Sequence, residues 1–221
     1  MSRSEHADTV AEAVDAFARG DPVLIHDAAD REGETDIVYP AGSVTPDAVA
    51  HLRNDAGGLV CVALSDAVAD ALGLPFMQDV LDHPTSADHD LAYDERSSFS
   101  LTVNHRETFT GITDDDRSLT IRELAASAAD PDADAFAKSF RSPGHVHLLR
   151  AAPDLLADRE GHTELGIALA AAADLPPAVV VCEMLDDETG AALPPAEARA
   201  YAADNGLVYV EGRALADHIE D

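Results

Sequence analysis

The sequence has almost no lysine. Lys138 is the only one among 221 residues, so arginine supplies nearly every positive charge. Lysine and arginine together number 14, against 43 aspartates and glutamates, which gives a formal net charge of −29. A nucleic-acid-binding surface requires a cluster of basic residues, and no such cluster interrupts this excess of acid. We therefore expect no nucleic-acid partner.

Cysteine and long apolar runs are scarce as well. The two cysteines, Cys61 and Cys182, lie in the short apolar runs GLVCVAL and AVVVCEML. This placement favours two buried thiols over a disulfide. No window approaches the roughly 18 uninterrupted apolar residues of a transmembrane helix, and the N-terminal MSRSEHADTVAEAV lacks the apolar core of a signal peptide. We expect a cytoplasmic protein with no membrane association.

The acidic residues are dispersed along the whole chain and interleaved with alanine. An acidic segment that recruits a basic partner would more often form a block. Dispersal instead favours a halophilic protein, since strong salt screens the repulsion among its own charges. A binding module for a cationic partner is the non-enzymatic alternative.

Helix and strand patterns alternate along nearly the whole sequence. Apolar runs predict strands at PVLIHD, DIVYPA, GLVCVAL, SFSLTVNH, HVHLLRA, AVVVCEML and LVYV. We expect one compact α/β domain over residues 1–221, with an α+β-like mixed sheet and surrounding helices. The order of the strands in that sheet does not follow from the sequence.

Capping patterns predict where several helices begin. The predicted first or capping residues are Thr9, Thr45, Ser65, Thr120 and Thr163. Between Pro75 and Arg96 the pattern is polar and interrupted, which predicts a long loop.

A first polar cluster is DREGETD, from Asp30 to Asp36. Arg31 can present a planar guanidinium to a phosphate, and Glu32, Glu34 and Asp36 can bind a hard cation. In so acidic a chain, a solvated loop explains these residues equally well.

Two further clusters contain histidines. In RSPGHVHLLR, His145 and His147 would point to the same side of a strand and could ligate a metal, although H-x-H on a strand is a common coincidence. In DREGHTELG, Arg159, His162 and Thr163 precede or begin a helix, whose free amides form an anion site. That combination exceeds what a helix cap needs.

Glu183 follows the apolar run AVVVC directly. A carboxylate at the C-terminal edge of a buried strand is well placed for proton transfer. A strand-end glutamate in water is the competing interpretation. A further loop, TFTGITDDDR, spans Thr108 to Arg117. Together the clusters supply hard-metal ligands, phosphate donors and proton-transfer groups, a set suited to metal-assisted chemistry on a phosphorylated sugar.

The order of these motifs resembles the 3,4-dihydroxy-2-butanone 4-phosphate synthases of riboflavin biosynthesis, in their monofunctional form. The resemblance runs from about Val10 to about Val210. It rests on DREGETD, GGLVCVAL…LGLPFM, FSLTVN, TGITDDDR, RSPGHVHLLRA, GHTELGIALAAAADLPPAVVVCEML and NGLVYVEG.

The resemblance implies a lyase that converts D-ribulose 5-phosphate to 3,4-dihydroxy-2-butanone 4-phosphate and formate. It also implies a requirement for Mg²⁺ or Mn²⁺, and a homodimer with active sites at the subunit interface. A different Mg²⁺-dependent sugar-phosphate isomerase or aldolase is the enzymatic alternative, and it would act without releasing formate.

Residue roles follow from the same resemblance. It assigns metal binding to Glu32 and His162, and the essential acid–base pair to His145 and Glu183. The implied substrate contacts are Arg31, Glu32, Asp36, Thr110, Arg159, Glu160, Gly161, His162, Thr163 and Glu183. The sequence departs from the commoner D-R-E-N-E-G-D pattern at Gly33 and Thr35, and from G-G-H-T at Glu160. Substrate contact at Glu160 would therefore use main-chain amides.

The charge pattern predicts that salt stabilises this protein. Lowering NaCl or KCl lengthens the screening distance from roughly 3 Å at 1 M to roughly 30 Å at 0.01 M, so repulsion among the acidic residues should then favour unfolding. Thermal unfolding followed by circular dichroism across a salt series measures the effect. A melting temperature independent of salt would contradict the halophilic interpretation.

Overall fold

Seven strands form a single mixed sheet in the computed structural model, which describes residues 3–27, 33–86 and 96–220. The strands are β1 (Val23–His26), β2 (Thr35–Pro40), β3 (Cys61–Leu64), β4 (Phe99–His105), β5 (Phe140–Arg150), β6 (Ala178–Glu183) and β7 (Val208–Glu211). Their order across the sheet is β4-β5-β3-β6-β2-β1-β7. All seven strands predicted from apolar runs are present, and the predicted mixed α/β architecture is confirmed.

Strand β6 joins the two halves of the sheet. It pairs antiparallel with β2 on one side and with β3 on the other. Beyond β3, strand β5 runs parallel to it and β4 is antiparallel to β5. Beyond β2, strand β1 is antiparallel to it and β7 is parallel to β1. Residues 178–182 of β6 are all buried, as expected for a strand covered on both faces.

Helices cover both faces of the sheet. In chain order they are α1 (Arg3–Ala18), α2 (Pro46–His51), α3 (Asp66–Ala71), α4 (Met77–Val80), α5 (Asp114–Ala129), α6 (Ala133–Ser139), α7 (His162–Ala172), α8 (Pro195–Asn205) and α9 (Gly212–Glu220). One hydrophobic core lies between the sheet and α2, α3, α5, α6 and α8. A second core on the opposite face contains residues of α1, α7 and α9.

The two cysteines belong to different cores. In the β3–β6 ladder Cys61 lies opposite Val181, so the neighbouring Cys182 points to the other face. Both thiols are buried and free, as predicted. Burial raises the pKa of Cys182 to about 12 and also raises the pKa of Cys61, so both remain protonated at neutral pH. Among the helices in the described ranges, none is long and apolar enough to span a membrane.

Two of the predicted helix starts are confirmed. The Thr45 side chain accepts a hydrogen bond from the Ala48 amide and caps α2, with Pro46 at the first helical position. Ser65 accepts from Val68 and caps α3. The helical segment that begins with α2 continues as one π-helical turn, Leu52–Ala56, and ends at Gly57 in the left-handed conformation.

The other three predicted helix starts are wrong. Helix α1 already begins at Arg3, so Thr9 lies in its interior. Thr120 is buried within α5, where its hydroxyl donates to the Asp116 carbonyl four residues earlier. Thr163 is the second residue of α7, and Gly161 occupies the capping position with extended backbone and no side-chain cap. The Thr-x-x-Glu spacing of the first two recurs inside helices, so spacing alone cannot locate a helix start.

The predicted loop from Pro75 to Arg96 is partly ordered as helix. Its described part contains α4 and a 3₁₀ turn, Pro84–Ser86. Residues 87–95 of the predicted loop lie outside the described residues.

The true N-cap of α5 provides a stability test. Thr113 accepts a hydrogen bond from the Asp116 amide, so Thr113→Ala should lower the free energy of unfolding by about 1 kcal/mol. Chemical denaturation in high salt measures this change. Ser127→Ala in the last turn of the same helix is the matched control, because its hydroxyl only bonds back to the Glu123 carbonyl. That control should change stability by less than about 0.5 kcal/mol. Equal losses in the two variants would contradict a capping role for Thr113.

Candidate active site

A cavity of about 240 Å³ opens where β2 and β6 meet the start of α7. Its polar lining consists of Glu34, Asp36, Arg96, Ser97, Ser98, Arg159, His162 and Glu183. Asp36 and Glu183 are direct partners in the β2–β6 ladder, so their side chains stand side by side on one face of the sheet. Four predicted site residues therefore share this cavity: Asp36, Arg159, His162 and Glu183.

The carboxylates in this cavity require positive charge nearby. Asp36 is only 1% exposed, and like charges directly opposite each other in a sheet are unfavourable. His162 can supply such a charge when protonated, since its Nδ1 lies 3.8 Å from Asp36 Oδ2. Carboxylate oxygens and an imidazole nitrogen are ligands that hard and borderline divalent cations accept. Asp36 and His162 thus bring two kinds of ligand that such a cation accepts into the same cavity.

No three His, Cys, Asp or Glu side chains in the described part of the chain already form a metal-binding cluster. Arg31 and Glu32, predicted to bind substrate and metal, lie outside the described residues. The flanks of their segment are held together beside the cavity. The Asp27 amide donates to the Glu34 carbonyl at 3.1 Å, and the Glu34 amide donates to Asp27 Oδ1 at 2.9 Å.

Arg159 is fixed by its neighbours. Its Nη1 donates to the Ser98 hydroxyl and lies 3.4 Å from Glu164 Oε2. Glu164 is fully buried, and its other oxygen accepts from the Ala152 amide at 2.9 Å. Burial raises the pKa of Glu164, while the Arg159 charge opposes that rise. The guanidinium therefore has a defined position in the cavity wall, which suits recognition of an anionic group.

The polar side chains around the start of α7 differ in their burial and in their partners. Thr163 is fully buried, and its hydroxyl has no hydrogen-bond partner in the described structure. The Glu160 side chain instead pairs with Arg213 of α9, at 3.1 Å. Because α7 begins at His162, the amides of its first turn have no partner within the helix.

His145 and Thr110 do not line this cavity. Both are exposed, His145 at the middle of β5 and Thr110 in the loop before α5. Strand β3 lies between β5 and β6, so two strand spacings, about 10 Å, separate the main chains that carry His145 and Glu183. His147 packs edge to face against Phe99, with 6.2 Å between ring centroids, and burial lowers its pKa.

Comparison with known proteins identifies the family. A family model for 3,4-dihydroxy-2-butanone 4-phosphate synthase matches residues 11–218. A synthase of that name from Archaeoglobus fulgidus is 51% identical over 220 residues, covering 94% of this chain and 92% of the relative. The chain belongs to the 3,4-dihydroxy-2-butanone 4-phosphate synthase family. A synthase from Methanothermobacter thermautotrophicus is 46% identical, with 93% of each chain covered.

Solved structures of 3,4-dihydroxy-2-butanone 4-phosphate synthases share this fold. The Candida albicans synthase aligns with a TM-score of 0.80 at 32% identity, covering 96% of this chain and 97% of that one. A synthase in complex with two magnesium ions aligns with a TM-score of 0.82 at 31% identity, covering 96% of each chain.

Three residues that were not predicted from the sequence contact predicted site residues, or the loop that carries one, in this synthase-family chain. Glu164 contacts Arg159, as described above. Asn104 in β4 contacts His145. Asp116 accepts hydrogen bonds from the amides of residues 109–111, the loop that carries Thr110. The hydrogen bond from the Gly111 amide, together with those from Phe109 and Thr110, lowers the pKa of Asp116. The Asn104–His145 contact joins residues 41 positions apart, so no local motif reveals it. Asp116 acts through a turn of the chain, and Glu164 belongs to the DREGHTELG motif without being singled out by it.

Proposed function

We propose that this chain converts D-ribulose 5-phosphate to 3,4-dihydroxy-2-butanone 4-phosphate and formate, a step of riboflavin biosynthesis. The observation that carries this proposal is the shared cavity of Asp36, Arg159, His162 and Glu183 in a chain of this family. The family match also supports one domain over residues 1–221. Because the substrate is a charged sugar phosphate, which does not cross membranes unaided, we propose that the enzyme works in the cytoplasm.

A divalent cation, Mg²⁺ or Mn²⁺, is part of the proposal. Glu32 and His162 would hold it, and the adjacent carboxylates of Asp36 and Glu183 supply the negative charge that such a site needs. A related synthase has been solved with two magnesium ions. The bound cation would polarise a substrate oxygen and so acidify the neighbouring C–H bond.

The phosphate group would bind at the other side of the cavity. Arg159 is held in place by Ser98 and Glu164, and the free amides at the start of α7 favour an anion. Gly161, Thr163 and the main chain of Glu160 belong to this segment, while Arg31, Asp36 and Thr110 are proposed to contact the rest of the substrate.

Glu183 and His145 are the proposed acid–base pair. Glu183 lies at the end of β6 in the cavity wall, where its carboxylate can accept a proton from substrate carbon. His145 offers the imidazole that complements it. Proton abstraction, dehydration and loss of formate all require such groups near the substrate.

Formate release tests the proposed reaction. Incubation with D-ribulose 5-phosphate and Mg²⁺ in high salt should yield formate, measured with formate dehydrogenase, and EDTA should abolish it. His145→Ala and Glu183→Ala should each lower kcat by at least about 100-fold. Glu197→Ala, on an exposed helical glutamate, is the control and should retain activity. Turnover without formate would favour the isomerase or aldolase alternative.

A homodimer with active sites at the interface would bring the separated residues together. Large apolar side chains are exposed at the cavity rim, where Leu59 and Phe99 are each 43% exposed, and on the loop beside Thr110, where Phe109 is 93% exposed. A symmetric pair that laid this loop on the partner's rim would cover both patches. It would also carry Thr110 and His145 toward the partner's cavity.

Mixed dimers test this arrangement. His145→Ala and Glu183→Ala chains, unfolded and refolded together in equal amounts, should regain about a quarter of wild-type kcat, since half the dimers are mixed and each has one intact site. Each variant refolded alone is the control and should stay inactive. If both residues of a site came from one chain, mixing would restore nothing. A monomer in analytical ultracentrifugation would also contradict the proposal.

A further inference from the structure

The imidazole of His145 has a neighbour that constrains its chemistry. Asn104 of β4 is 4% exposed and contacts His145 at two points. The main-chain amide of His145 lies 2.8 Å from Asn104 Oδ1. The ring Nδ1 of the same histidine lies 3.1 Å from Asn104 Nδ2.

The first contact decides how the Asn104 amide is oriented. A main-chain N–H can only donate a hydrogen bond, so the side-chain atom that faces it must be the oxygen. The NH₂ group of Asn104 must then face the His145 ring. Because that NH₂ group also can only donate, Nδ1 of His145 must accept, and the single proton of the neutral ring resides on Nε2.

The surroundings of Asn104 prevent it from turning away. A Cβ placed on Gly111 would overlap the Asn104 side-chain amide, which shows how closely the two residues pack. The loop that contains Gly111 is itself anchored by the Asp116 carboxylate. On the other side, a Cβ on Gly144 would overlap the main chain of Val103 and Asn104, so β5 also approaches β4 closely here.

We propose that Asn104 is a positioning residue that keeps neutral His145 in the Nε2–H form, so that His145 donates a hydrogen bond to a substrate oxygen. Accepting a proton through Nε2 would require the other tautomer, which would point an Nδ1–H bond at the Asn104 NH₂ group. Glu183 is then the member of the pair that accepts the proton from carbon. This inference rests on the proposed function only in giving His145 a catalytic role.

Nitrogen NMR of the whole protein tests the tautomer without any assay of activity. With ¹⁵N-labelled histidine, long-range ¹H–¹⁵N spectra distinguish an Nε2–H ring from an Nδ1–H ring, and comparison with His145→Gln assigns the signal. Spectra at about pH 8.5 observe neutral imidazoles. We expect Nε2–H in the wild type. In Asn104→Asp we expect Nδ1–H, because a carboxylate can only accept. An Nδ1–H ring in the wild type would overturn the proposal, whether or not the variant folds.

Kinetics then test what the tautomer does. Asn104→Asp should lower kcat for formate release by about 100-fold, the loss typical of a misdirected donor, with KM within about twofold of the wild type. Asn54→Asp makes the same chemical change at an exposed residue bonded to Arg53, and should leave kcat unchanged. If Asn104→Asp switches the tautomer of His145 but keeps full activity, the proposed hydrogen bond from His145 Nε2–H to the substrate would be overturned. If the wild type released no formate, the proposed function would be wrong, whereas the tautomer of His145 measured by NMR would be unaffected.

Discussion

The hydrogen-bond ladders on the two sides of β6 hold this molecule together. Within the described sheet, this strand pairs with both one half, β2-β1-β7, and the other half, β3-β5-β4. Its side chains extend into both hydrophobic cores, with Val180 in one and Val181 in the other. The strand ends at Glu183, so the carboxylate that faces the cavity is attached to a buried strand that is paired on both sides. Rigid support of this kind limits how far a catalytic group can drift from its working position.

Local pattern was sufficient to predict the strands, because each buried strand is a short apolar run bounded by turn residues. Helix starts were less predictable. The hydroxyl that caps α5 belongs to Thr113, whereas Thr9 and Thr120 show the capping-box spacing within helices. The order of the strands depends on pairings such as Asp36 with Glu183, which are 147 residues apart and leave no local trace.

The site was predictable only to the extent that its residues belong to motifs. Asp36, Arg159, His162 and Glu183 were identified by family likeness, and the fold brings them to one cavity. The composition alone could not distinguish Asp36, as a site residue, from the many acidic residues on the surface. The role of Asn104 could not be predicted, because nothing in the sequence around this strand residue marks it as part of a site. Its role depends on which atom of its side-chain amide faces a main-chain N–H. The orientation of a side-chain amide is set by tertiary packing, and the spacing of residues in a sequence motif does not determine it.

The parallel pair of β1 and β7 joins the beginning of the chain to its end. During synthesis, β1 leaves the ribosome long before β7, and in that interval its outer edge has N–H and C=O groups with no partner. Exposed edges of this kind invite pairing between nascent chains on the same messenger RNA. At low ionic strength, where charges are little screened, the acidic residues of two such chains repel one another. The time between the synthesis of β1 and that of β7 therefore sets how long this edge stays open to other chains.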